Sequence, residues 1–195
     1  MKFKFGLPDP RESSAIENAS LIPGLDMEKF HVLGAWLGIL LALLIILLWL
    51  PICPPRELFI LLRNDKWGAL IILLPVILLT HEMLHTLAFP NFGFNKDTVV
   101  GISNKTFCLY ATYIGPLSRK RWIAVLLQPF IVGTVLLFLS SMIFTEAKPV
   151  LFLAAVINAL GSGADVVITY HILKYIPSGQ HICGAHAGPL KSRVA

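Results

Sequence analysis

Hydrophobic residues gather into four long runs separated by polar stretches. Val32 to Ile52 is uncharged over 21 residues and Trp122 to Phe144 over 23. Trp67 to Pro90 carries only Glu82 and two histidines among its apolar residues, and Pro149 to His171 carries a single charge, Asp165. Each run reaches the roughly 20 residues that a helix needs to cross a hydrocarbon core about 30 Å thick. The pattern predicts an all-α integral membrane protein with about four transmembrane helices, near 32–52, 67–90, 122–144 and 149–174. Residues 1–31 form a polar tail ahead of this 32–176 membrane domain, with a short surface helix expected around Leu25–His31, and residues 177–195 form a carboxyl tail. No cleavable leader is expected, because the polar stretch before the first run is too long for one. Pro75 and Gln128-Pro129 are expected to kink the second and third spans, and Pro129 also frees a backbone carbonyl.

Between the second and third runs lies the one long polar connection, 91–120. Within it Thr98–Ile102 and Thr106–Tyr113 are rich in β-formers and flank the turn-like Ser103-Asn104-Lys105. A short β-hairpin at the membrane surface is expected there. The loop between the first two runs contains the apolar patch Leu58–Leu62 and is expected to dip back toward the interface.

Composition agrees with the pattern. The chain is 56% hydrophobic and 14% charged, with a mean hydropathy of +0.75, whereas soluble domains are about a quarter charged. The net charge of +5 does not point to nucleic acid, since no basic run with interleaved aromatics occurs. With four spans, twelve of the sixteen Lys and Arg fall on the face shared by both tails and the 91–120 loop. The positive-inside rule then places both termini in the cytoplasm of a multi-pass cell-membrane protein. Cys53, Cys108 and Cys183 are widely spaced and odd in number, which argues against a disulfide framework or a CxxC zinc site.

Candidate chemistry lies inside the runs. His81-Glu82-Met83-Leu84-His85 is an HExxH sequence; on a helix its histidines share one face and can hold one metal ion, with Glu82 placed to take a proton from an attacking water. Ionisable groups at membrane depth face a cavity or a partner. A catalytic zinc needs a third protein ligand, and depth selects Asp165. His81 precedes Pro90 by nine residues and Asp165 precedes Lys174 by nine, about 13 Å on spans running in the same direction. Gly161-Ser162-Gly163 is expected to let the fourth span approach the HExxH helix, or to unwind locally. Asn158, two turns before Asp165 on the same face, serves either a substrate carbonyl or an interhelical hydrogen bond. His171 falls on another face and reads as interfacial; His181, Cys183 and His186 read as loop, and Glu146 and Asp97 lie outside the layer.

HExxH at 81–85, the β-rich loop after it, the basic-to-apolar stretch at 119–130 and the segment from Asn158 to Asp165 resemble an uncharacterised family of membrane zincin peptidases, distantly similar to the site-2 proteases. The resemblance runs from about Leu79 to Pro177. It implies one zinc ion on His81, His85 and Asp165, with Asn158 contacting substrate. The expected function is zinc-dependent peptide hydrolysis in or next to a transmembrane segment of a protein substrate within the bilayer. The rivals are a non-catalytic metal-binding membrane factor and a small metal-handling protein; neither needs a general base at Glu82.

Overall fold

The computed structural model describes residues 1–6, 16, 20–24, 27–51, 56, 67–103 and 109–190. Four helices dominate: α1 (Met27–Trp49), α2 (Trp67–Ala88), α3 (Arg119–Ile143) and α4 (Lys148–Tyr175). The surface helix expected near Leu25–His31 is the opening of α1 itself. Three of the helices, α1, α3 and α4, are long and apolar enough to cross a membrane. The second helix, α2, has 22 residues, and the apolar stretch of it whose side chains are described is Ile72–Ala88. The loop patch Leu58–Leu62, the turn at Asn104 and Lys105, and Cys53 and Cys108 lie outside the described residues.

The chain is not purely helical, which corrects the all-α expectation. The hairpin exists: β3 (Thr98–Ile102) and β4 (Leu109–Tyr113) pair antiparallel, with Val100 opposite Ala111. It is joined by β1 (Lys2–Phe5), parallel to β3, giving the order β1-β3-β4. A second sheet, in the order β2-β7-β6-β5, gathers β2 (Ser20–Leu21), β5 (Leu117–Ser118), β6 (His181–Cys183) and β7 (His186–Gly188). The two polar tails thus supply strands that pattern reading missed, because runs of two to four residues show no readable alternation. Cys183 is buried, with its thiol on the Ile114 carbonyl.

Backbone groups at the helix ends are satisfied by the loop that links them. Pro90 forces Phe89 into an extended conformation and stops α2. Asn91, Phe92 and Gly93 then all adopt positive φ, turning the chain back toward β3. At the start of α3, Ser118 accepts from the Arg121 amide. From the same turn Arg121 donates to the Phe89 carbonyl after α2 and Arg119 to the Leu173 carbonyl near the end of α4, each at 3.1 Å. One basic turn therefore covers free carbonyls at two helix C-termini, where cations are also favoured by the helix dipole.

α1 packs along α4. Trp49 stacks on Phe152 at 3.9 Å between ring centroids and anchors one end of the pair. Farther along, the backbones meet: a Cβ on Gly163 would collide with the Gly34 carbonyl and the Gly38 amide. Gly163 therefore serves the α1–α4 seam, contrary to the expectation that it lets α4 approach the HExxH helix. Gly161 alone faces that helix, and a Cβ there would sit 3.7 Å from His81 Nδ1, an ordinary contact. Gly163→Ala should destabilise the fold by about 1–3 kcal/mol through overpacking. Gly161→Ala should be neutral or gain up to about 1 kcal/mol from helix propensity. Denaturation of both variants in detergent measures the difference.

Candidate metal centre

Four residues apart on α2, His81 and His85 project from one face with ring centroids 5.0 Å apart. Asp165 comes from α4 and lies between them. Its Oδ2 is 3.1 Å from His81 Nε2 and its Oδ1 is 3.4 Å from His85 Nε2. The three residues are 6–9% exposed, and their potential ligand atoms all lie within 4.8 Å of one another. The chemistry fits a metal ion: two imidazole nitrogens and a carboxylate oxygen are zinc ligands, and three protein ligands leave a position for a reactant. Among the described residues this is the one such group of His, Cys, Asp and Glu side chains.

The other nitrogen of each imidazole is occupied. His85 Nδ1 lies 2.9 Å from the Val125 carbonyl oxygen. A carbonyl only accepts, so Nδ1 carries the proton and Nε2 keeps its lone pair toward Asp165. His81 Nδ1 lies 3.1 Å from Asn158 Oδ1. The same amide donates through Nδ2 to the Pro129 carbonyl at 2.9 Å, with Thr134 Oγ1 at 2.9 Å and Ser162 Oγ at 3.2 Å. Because Pro129 O can only accept, the amide orientation is fixed, and Oδ1 faces His81 as an acceptor. Asn158 is 3% exposed. Of the two roles open in the sequence, its polar atoms are engaged in the interhelical one.

A cavity of about 580 Å³ opens onto the group and is lined by His81, Glu82, His85 and Asp165. Its wall continues along Leu109–Thr112 of β4, which is the outer strand of its sheet. The ladder register shows which backbone groups face the cavity side. Ile114 N–H donates to Asp97 O at 2.9 Å. Bonded pairs alternate in an antiparallel ladder, so Thr112 and Tyr110 turn their amides to β3, while Leu109, Ala111 and Tyr113 turn theirs outward. The Ala111 amide is directed at the Glu82 carboxylate. Tyr110 donates to the Gly6 carbonyl at 2.6 Å, and burial raises its phenol above the ordinary value despite opposition from Lys4, so it stays a neutral donor. The remaining wall is mostly aliphatic and aromatic, with Trp122, Leu126, Ile168, Ile172 and Ile182.

Other titratable candidates fall elsewhere. His171 also lines the cavity, but its Nε2 is 2.8 Å from the Pro23 carbonyl and its ring packs edge-on to Phe30. It is 8% exposed, buried by the amino-terminal segment, where the sequence reading had it interfacial. His181, Cys183 and His186 form part of the β6–β7 hairpin, in which Cys183 pairs with His186. Sequence reasoning missed the Val125 carbonyl as a partner, since backbone groups have no residue-type signature; the clue was Pro129, four positions later.

This combination, an HExxH helix with a carboxylate from a later helix, is the arrangement of a zincin-type metal site. The chain belongs to the family described as Putative zincin peptidase, whose model matches residues 72–179, from within α2 to just beyond α4. No curated protein and no solved structure matches the chain.

Asp165→Asn should weaken zinc binding by more than about 100-fold, exceeding the 10–100-fold typical of losing an outer partner. His171→Ala should leave zinc binding nearly unchanged. Chelator competition on the two purified variants reads both values.

Proposed function

We propose that this chain is a zinc-dependent membrane peptidase that hydrolyses a peptide bond in or next to a membrane-spanning segment of a protein substrate. The observation that carries the reading is the meeting, in one cavity, of the His81/His85/Asp165 group, the Glu82 carboxylate and the outer edge of β4, which pairs with no further strand among the described residues. Membership of the zincin family supports it. The membrane setting is supported by α1, α3 and α4, which expose large apolar side chains such as Trp36, Leu40, Leu47 and Ile143. Such surfaces are stable against hydrocarbon and unfavourable in water.

His81, His85 and Asp165 would hold the zinc, and Asn158 and the Val125 carbonyl would orient the two imidazoles. Zinc, when bound, supplies a Lewis acid that polarises the scissile carbonyl and acidifies the attacking water. Glu82 takes the proton of that water and passes it to the leaving amine as the carbon–nitrogen bond breaks. A helical substrate has its carbonyls engaged, so the segment must be extended before it can react. Leu109 and Tyr113 turn their amides outward, and with the outward carbonyl of Ala111 they offer an edge to which such a segment can add as a further strand. The Ala111 amide meanwhile keeps the Glu82 carboxylate on the cavity side. A structural or transport role has no use for a carboxylate in that position, which favours the peptidase over the metal-binding factor and the metal-handling protein.

Glu82→Gln should retain zinc and lose at least about 100-fold in turnover, the typical contribution of a general acid–base group. Metal content and cleavage of co-expressed single-span membrane proteins, measured on the same preparations, test it. Undiminished cleavage would contradict the reading. With α2 taken as a fourth span, the charge distribution further supports both termini in the cytoplasm. Epitope tags on either end should then resist protease applied to intact cells and be digested once the cells are opened.

A further inference from the structure

Both histidines of the HExxH helix direct their second nitrogen at groups organised by a single irregular stretch of α3, and neither group touches the metal position. Val125 sits four residues before Pro129 in that helix. In an unbroken helix its carbonyl would accept from the amide of residue 129, and proline has none. The Val125 oxygen is left to accept from His85 Nδ1 at 2.9 Å. From Pro129 to Leu136 the helix widens into a π turn, a form found mostly as single-turn insertions at functional sites. Within this turn the Pro129 carbonyl and the Thr134 hydroxyl both hold Asn158 Nδ2. Gly133 gives the amide its room, since a Cβ there would lie 2.7 Å from Asn158 side-chain atoms. Asn158 Oδ1 is thereby aimed at His81 Nδ1.

We propose that the proline-opened stretch of α3 is a tautomer brace: Pro129 and Gly133, which touch neither metal nor substrate, act through the Val125 carbonyl and Asn158 to keep both imidazoles protonated on Nδ1. The inference rests on the zinc reading above and adds to it a set of positioning residues. Its physical content is that an imidazole can offer Nε2 to a metal only when its single proton is held on Nδ1, and a ligand's outer hydrogen bond sets that choice. Two ligands four residues apart on α2 are thus governed from one neighbouring helix. The irregularity that costs α3 part of its hydrogen-bond ladder supplies both acceptors.

The cost makes the proposal separable from a packing role. Proline in a helix interior is destabilising, so Pro129→Ala should leave the zinc-free full-length chain as stable as the wild type or more so. The same variant should bind zinc about 10–100-fold more weakly, because the Val125 carbonyl regains a helical donor. Asn158→Leu, which fills the space without an acceptor, and Gly133→Ala, which displaces the amide, should lower zinc affinity over a similar range. Thermal unfolding and chelator competition on the detergent-purified chain read the two quantities independently. Stability that is kept or raised alongside weakened zinc binding in Pro129→Ala supports the brace. Wild-type zinc affinity in Pro129→Ala overturns it, as does a wild-type chain that binds no zinc. A wild-type chain that binds zinc and cleaves nothing removes the peptidase reading alone, and the affinities still decide the brace.

Discussion

A carboxylate buried between two imidazoles sets the terms for the rest of this molecule. Asp165 is 9% exposed on a helix that is otherwise largely apolar, and an unpaired carboxylate in such surroundings is strongly disfavoured. Its oxygens lie 3.1 and 3.4 Å from Nε2 of His81 and His85 on α2, where a cation held between them would balance its charge. That requirement fixes how α2 and α4 must lie against each other. The α1–α4 seam at Gly34, Gly38 and Gly163 supports α4 from another side, so the helix carrying Asp165 is held between a close-packed neighbour and the histidines.

The third helix does different work at each end. Its first turn caps the carbonyls after α2 and near the end of α4 through Arg121 and Arg119, which ties together the two helices that carry the metal-capable group. One layer deeper, Pro129 supplies no amide to the Val125 oxygen, which takes the outer nitrogen of His85, and the Pro129 carbonyl takes the amide of Asn158. Two helices carry the ligands, a third with a π turn orients them, and the outer strand of a small sheet lines the cavity. Each element contributes a chemically different part of the site.

How much of this could be read in advance depended on whether residue type or backbone carried the information. HExxH on a helix has a side-chain signature, and Asp165 could be matched to it by counting residues from the helix ends. The grouping of His81, His85 and Asp165 within 4.8 Å agrees with that count. Counting gave no sign, however, that an amino-terminal segment with no periodic pattern folds over His171 and buries it. It also failed for the tails, where short strands pair with partners far away in the chain, such as Ser20 with Ala187 and Lys2 with Val99. Gly163 was assigned to the wrong neighbour for a related reason: small residues announce close approach but not to which helix.

X-ray absorption at the zinc edge of the purified full-length chain tests the central claim most directly. The account predicts a first shell of nitrogen and oxygen only, at about 2.0–2.2 Å, with outer-shell scattering from two imidazoles. A sulfur ligand at about 2.3 Å, or scattering from fewer than two imidazoles, would contradict the assignment of the metal to His81, His85 and Asp165.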